Sequence, residues 1–340
     1  MKPVYIFHIR PIKTKGAHMN LRHTISTGLL MLCSLSAMAA DADGGYLFAH
    51  MIPSNYGRLY YSVSRDGLTW KTLNGGNIVL PEYKGHPDIV RGGDGQWHMV
   101  GVVFGGDVKV PYPVHWHTKD LITWEKEDLP NAIMTVSQLD LRNDGGWFGA
   151  PKTCYDETTQ QYVITWHAYK HNPKDNKDLW ESMRTVYITT KDFKTFTPAK
   201  KLFAFTGDAA TTATIDVILR NVNGTYYAVI KDERWPETVP SGKTIRIAKS
   251  QGGVLGPYSN PGAPICPSWH EAPILIISKE GKCRIYTEAY TKGGKYDMFE
   301  ADTMEGKWEQ KEYESPQSRH GCMIPIDEAT YQNLLKAFDK

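Results

Sequence analysis

The chain has 340 residues, with 39 Lys and Arg against 37 Asp and Glu, for a formal charge of +2. It contains no basic cluster interleaved with aromatics, the electrostatic footprint that nucleic-acid binding needs, so a nucleic-acid partner is excluded from the reading. Its 10 Trp and 19 Tyr fall largely in short strand-like runs that suit both a sheet core and a sugar-stacking surface.

From Met19 the sequence reads Arg22 and His23, then an apolar run from Gly28 to Leu35, then Ala37-Met-Ala39 with small residues at both cleavage-defining positions. This pattern predicts a signal peptide over 19–40, preceded by an upstream extension over 1–18. The run is too short to span a bilayer, and no later segment approaches about 20 apolar residues. The expectation is therefore an exported protein, periplasmic or extracellular, without membrane insertion. Cys33 follows Leu32, not the small residue a lipoprotein signal wants, which favours free release. Residues 41–340 are expected to form one domain, a monomer or weak homo-oligomer. Its cysteines, Cys154, Cys266, Cys283 and Cys322, are scattered without zinc spacing and read as buried thiols in strands.

An internal repeat dominates the rest of the chain. One unit is a strand, a charged turn and an aromatic-led strand, Tyr60-Tyr-Ser-Val-Ser-Arg-Asp66-Gly-Leu-Thr-Trp70. It returns at Val114 to Trp124, at Val186 to Phe196, at Ile245 to Tyr258 and at Met298 to Trp308, making five copies. Between copies lies a second unit, two short strands joined by a Gly-containing or polar hairpin. Examples are Ile89-Val90 through Gly95 to Trp97, and Val217-Ile-Leu through Asn223-Gly224 to Tyr226. Each period supplies about four strands, which predicts an all-β, five-bladed β-propeller of four-stranded blades. Gly321 to Ile326 and Gly45 to Ala49 are expected to complete the fifth blade, closing the ring with both ends of the chain. Glu328 to Ala337 reads as a helix, and His171 to Leu179 as a surface loop.

A repeat does not specify a function, so the site must carry that argument. At the head of each second unit a polar residue precedes an apolar strand: His86, Lys152, Asp216, Glu271 and His320. Five blades would aim these side chains at one axial funnel. Acidic residues at the head of a buried strand suit a functional role better than a structural one, because desolvation disfavours their charge. The hairpins act as a ruler for blade one. Asp216 stands eight residues ahead of Gly224 and Glu271 ten ahead of Gly281, whereas His86 stands nine ahead of Gly95 and Asp88 seven. The register favours His86 as the axial residue, acting as the base or contacting the sugar. A bulged strand would present Asp88 as the base instead.

The order Ser-x-Asp-Gly-x-Thr-Trp, His86-Pro-Asp88-Ile, Ala-Pro-Lys152, Thr-Ile-Asp216-Val-Ile, Lys231-Asp-Glu-Arg234, Glu271-Ala-Pro and Arg-His320-Gly resembles glycoside hydrolase family 43 and its five-bladed relatives, from about Gly45 to Pro325. The resemblance implies an exo-acting, inverting glycosidase releasing an arabinofuranoside- or xyloside-like terminal sugar from a plant or algal polysaccharide. It further implies Glu271 as general acid and Asp216 as the carboxylate that orients it and raises its pKa. The family's first-blade Asp is replaced here by His86, and a Glu of the second blade by Lys152. Two alternatives follow: a non-standard catalytic set including His86 that acts on an unusual sugar, and an inactive carbohydrate-binding propeller. Trp147, Trp166 and His167 are candidates to stack on or contact the sugar, and Arg234 to bind it. His320 resembles the channel-lining residue often found beside a cation, so a structural divalent cation is a candidate, with no cofactor required for the chemistry. His115 and His117 alternate around Trp116 on one strand face, without a third ligand.

Overall fold

The computed structural model describes residues 44–105, 108–143 and 148–338. The expected extension and signal peptide lie outside the described residues, as does Trp147.

The described chain opens with Gly45–Ile52 (β1), Asn55–Ser64 (β2) and Lys71–Thr72 (β3). Blade one is Val90–Arg91 (β4), Trp97–Gly105 (β5), Val108–Thr118 (β6) and Glu125–Asp128 (β7). Blade two adds a short Leu141–Arg142 (β8) to Gly149–Asp156 (β9), Gln161–Lys170 (β10), Arg184–Thr190 (β11) and Lys200–Lys201 (β12). Blade three is Thr214–Val222 (β13), Thr225–Asp232 (β14), Thr244–Gly253 (β15) and Gly256–Tyr258 (β16). Blade four is Glu271–Ile277 (β17), Cys283–Glu288 (β18), Tyr296–Ala301 (β19) and Glu309–Lys311 (β20). Arg319–Ile326 (β21) then pairs antiparallel with β1, Leu47 opposite Ile324 and Ala49 opposite Cys322, giving a fifth sheet in the order β21-β1-β2-β3. The ring is a five-bladed β-propeller closed by strands from both ends of the described chain. This closure removes the exposed edges that an open sheet would leave.

The charged turn of the repeat has a common cause. Asp66 Oδ1 accepts from the backbone N–H of Leu68 and Thr69, Asp120 from Ile122 and Thr123, and Asp192 from Lys194 and Thr195. The residue after each Asp turns left-handed, at φ 77° for Gly67, 62° for Leu121 and 55° for Phe193. The Asp carboxylate thus closes the turn that feeds the outer strand.

Strand alternation builds the core between blades. On β14, Ala228 and Ile230 pack towards blade two with Val163, while Tyr227 and Val229 pack towards blade four with Leu275 and Ile285. Five such layers, one at each junction, hold the ring. The four cysteines are buried, unpaired thiols. Among the described residues, two α-helices flank the blades. Glu328–Phe338 (which we number α2) follows β21 and buries Tyr331 and Leu334 against blade five. The segment from His171 to Leu179, expected as plain loop, contains a short helix, Asn176–Glu181 (α1), nucleated by Asp175, whose carboxylate accepts from the Asp178 N–H at 2.8 Å.

Candidate active site

Each inner strand enters the ring through a kink. Ala150, Asp216, Ala272 and His320 have φ of 45°, 48°, 46° and 21°, and pairing with the second strand slips at those same places. Left-handed backbone costs a non-glycine residue about 1–2 kcal/mol. Four equivalent instances mark bulges that re-aim the neighbouring side chains. Gly321, beside the His320 kink, has no room for a side chain, because an added Cβ would lie 2.4 Å from the Ala49 carbonyl oxygen. Blade one takes its turn at Gly85, φ 139°, followed by His86-Pro87. Aligned on the prolines that follow Ala150 and Ala272, His86 takes the place that Asp216 and His320 hold in their blades.

The kinks bring residues from four blades together. The rings of His86 and His320 are 4.2 Å apart between centroids. His320 is the hub: its Nε2 lies 3.2 Å from Glu271 Oε1 and its Nδ1 3.9 Å from Asp216 Oδ2. Its backbone N–H donates to Glu288 at 3.0 Å. Asp216 accepts from the N–H of Ala272, the residue after Glu271, at 3.1 Å. Arg319 donates to Glu271 at 2.8 Å and also to Glu288, a fully buried carboxylate. Lys231 Nζ lies 3.4 Å from Glu271 and 2.6 Å from Glu233, which Lys243 also binds.

This setting reverses the expected ionisation of Glu271. Burial alone would raise its carboxyl, but the His320 hydrogen bond and the charges of His320, Lys231 and Arg319 hold it well below the usual carboxylate range. Burial works against a charged His320, yet the Glu271 hydrogen bond and the charges of Glu288, Glu271 and Asp216 raise its ring above the ordinary value. The resting pair is a carboxylate and an imidazolium. The reading of a single raised acid fails because three cations surround Glu271, and only assembly of the blades brings them there.

Burial, then the charges of His320, Lys152, His167 and Arg319, keep His86 neutral, well below 6.5. Its Nε2 meets the Tyr56 hydroxyl at 2.7 Å, and its buried Nδ1 has no hydrogen-bond partner among the described residues. His167 is driven down to about 4, chiefly by burial, against the pull of Asp216. Beside Glu271 stands a partly exposed aromatic wall. Trp235 and Trp269 are 5.8 Å apart, and Trp269 and Tyr290 6.2 Å, with Lys243 over Trp235 and Lys231 over Tyr290.

Other expected site residues are placed differently. Asp88 lies buried with both oxygens engaged, one accepting from the Thr153 N–H at 2.7 Å and the other from Arg220 at 3.1 Å, so it ties three blades together. Trp166 packs in the layer between blades one and two with Phe148, because alternation on β10 turns it away from the face that carries His167. Arg234 is spent on Asp232 through two bonds, at 2.9 and 2.7 Å, and on Thr211. Its segment reaches the site through Lys231 and Glu233, the opposite phase of the alternation. Lys152 is 3 % exposed on the inner strand of blade two. Tyr56, Glu288 and the aromatic wall carry no motif that sequence reading used; Arg319 stood in the Arg-His320-Gly motif without a role, and the phase of Lys231 and Glu233 was available.

A divalent cation was tested against the donors. His86, Asp216 and His320 offer ligand atoms within 4.8 Å of one another, and so do Glu271, Glu288 and His320. The first set has a single oxygen ligand, with Lys152 charge beside it. The second has both carboxylates bound to Arg319. Neither fits a hard cation that takes six or more oxygens.

A five-bladed propeller whose axis gathers carboxylates from adjacent blades, with aromatic rings alongside, has the parts that glycoside hydrolysis uses. Residues 41–332 match the glycosyl hydrolase family 43-related model, described as "Probable glycosyl hydrolase domain", and the chain belongs to that family. Among solved structures it is similar to a thermostable family-43 glycoside hydrolase, with 17% identity and a TM-score of 0.51 over 69% of this chain and 74% of that one. It is also similar to an exo-β-1,3-galactanase from Clostridium thermocellum, with 15% identity and a TM-score of 0.51 over 74% of this chain and 52% of that one, so it spans about half of the latter. No curated protein matches the chain.

Proposed function

We propose that this glycosidase is an exported, exo-acting, inverting enzyme that releases a terminal arabinofuranoside- or xyloside-like sugar from a plant or algal polysaccharide, with Glu271 delivering a proton to the leaving oxygen. The observation that carries the reading is the placing of Asp216 and Glu271 on either side of His320, one near each ring nitrogen. At rest the proton of this unit sits on His320. As the leaving oxygen gains negative charge, the proton passes from His320 Nε2 to Glu271 Oε1 and on to that oxygen. The pair is the acid. Asp216 faces the positive charge that develops on the sugar ring. Inversion needs a group across the sugar to take a proton from water, roughly 6.5–9.5 Å from the acid; His86, with its ring 4.2 Å from that of His320, stands too close to the acid pair for that and contacts the sugar instead.

A second reading is a carbohydrate-binding propeller without turnover, favoured by the ionised Glu271 and by a first blade that offers an imidazole in place of a carboxylate. Incubating the protein with defined oligosaccharides, and following product anomers by NMR, separates the two. One terminal sugar released with inverted configuration is expected. A retained anomer removes inversion, and binding without release across the panel establishes the second reading.

A further inference from the structure

Among the described residues, every buried Lys or Arg around the axis but one has a carboxylate. Arg220 holds Asp88, Lys231 holds Glu233 and Glu271, Lys243 holds Glu233, and Arg319 holds Glu271 and Glu288. Lys152 is the exception. It is 3 % exposed and has neither ion pair nor hydrogen bond to any described residue. It stands on the inner strand of blade two, and the next residue, Thr153, donates its N–H to Asp88 at 2.7 Å, two residues from His86, so Lys152 lies beside the head of blade one; its charge is felt at His86, His167 and Cys322. A nearly buried lysine with no carboxylate beside it leaves room for an anionic group of a ligand to supply one.

The neighbouring groups fit an anion. His86 is neutral; in the tautomer whose Nε2 accepts from the Tyr56 hydroxyl, Nδ1 carries the hydrogen, and that nitrogen is buried and unpartnered. The Nδ1 of His320 is likewise buried without a hydrogen-bond partner. A lysine ammonium and an imidazole N–H at neighbouring places on the axis bond a carboxylate or sulfate oxygen more strongly than a neutral hydroxyl. We propose that the terminal sugar carries an anionic group, a uronate carboxylate or a sulfate ester, and that Lys152 with His86 receives it. This inference rests on the glycosidase reading and narrows its substrate class to acidic sugars.

Paired ligands that differ only in the anionic group provide the test. Titration calorimetry on the chain compares D-glucuronate with D-xylose, and galactose 6-sulfate with galactose, in wild type, Lys152→Gln and Lys152→Arg. The wild type should bind one acidic member at least tenfold more tightly than its neutral partner; the pair that shows the preference tells carboxylate from sulfate. Lys152→Gln should bring the two to parity and Lys152→Arg should keep the preference. Parity in the wild type overturns the proposal whether or not the variants fold, as does a preference that survives in Lys152→Gln. Release of neutral sugars with parity in binding would sink this inference alone. A Lys152-dependent acidic preference with no glycoside cleaved would uphold the site and sink the hydrolytic reading.

Discussion

Replacing Arg319 with Leu removes a side chain that neutralises two carboxylates at once. Glu288 is fully buried and would keep the His320 N–H and, at 3.9 Å, the His320 ring, while Glu271 would keep His320 and the more distant Lys231. Breaking a buried pair by deleting one partner costs about 3–5 kcal/mol, most of it from the charge left behind. At about 2–4 °C per kcal/mol for a domain of this size, Tm should fall by about 6–20 °C in a thermal scan at pH 7. Because the penalty is uncompensated negative charge, adding Glu288→Gln to Arg319→Leu should recover much of it, a non-additivity measurable as a double-mutant cycle. A Tm change under about 2 °C, or strictly additive losses, would refute the charge argument and leave Arg319 as a surface residue.

The remaining expectations concern the ring, blade one and pH. Ile285, fully buried between blades three and four, should cost about 2–5 kcal/mol when cut to Ala, read from urea unfolding. Asp88→Asn should chiefly lower Tm, since its carboxylate bonds Arg220 and the Thr153 N–H, whereas His86→Ala should chiefly lower kcat with Tm kept; turnover lost in folded Asp88→Asn with His86→Ala unaffected would reverse these roles. His320 is raised above its ordinary 6.5, so its contribution to stability is full below that value and fades as pH rises through its folded pKa. Glu271 is lowered from 4.5, so its contribution is full above that value and fades as pH falls through its folded pKa. The Tm difference between wild type and His320→Gln should therefore be widest between pH 4.5 and 6.5 and shrink on the alkaline side. A difference that grows above pH 8 would contradict the ion pair.

The ring was legible in the sequence because each blade writes its own signal. The turn aspartates Asp66, Asp120 and Asp192 recur at the same offset from an aromatic, and alternation on β14 shows directly which residues face which neighbour. Asp216, Glu271, His320 and His86 were legible for the same reason, since each stands at the head of an inner strand. What the sequence hid is electrostatic. Arg319 meets Glu288 across 31 residues and Lys231 meets Glu271 across 40, through pairings between blades that no local period encodes. The charge state of Glu271 depends on those partners, so its direction could not be read from Asp216 alone. Trp166 and Arg234 were misread by phase: a strand that reaches the site sends every second residue elsewhere, and the one-residue difference between Trp166 and His167 decides between core and axis.

Glu271→Gln gives the most direct test of the claim that this residue donates the proton. Turnover of a natural oligosaccharide, whose leaving group is poor, is compared with turnover of an activated aryl glycoside, whose departure needs little protonation. The account predicts loss of about 10²–10⁴-fold on the natural substrate, with far less on the aryl glycoside. Equal losses on both substrates, with folding intact, would show that Glu271 binds the sugar without protonating anything.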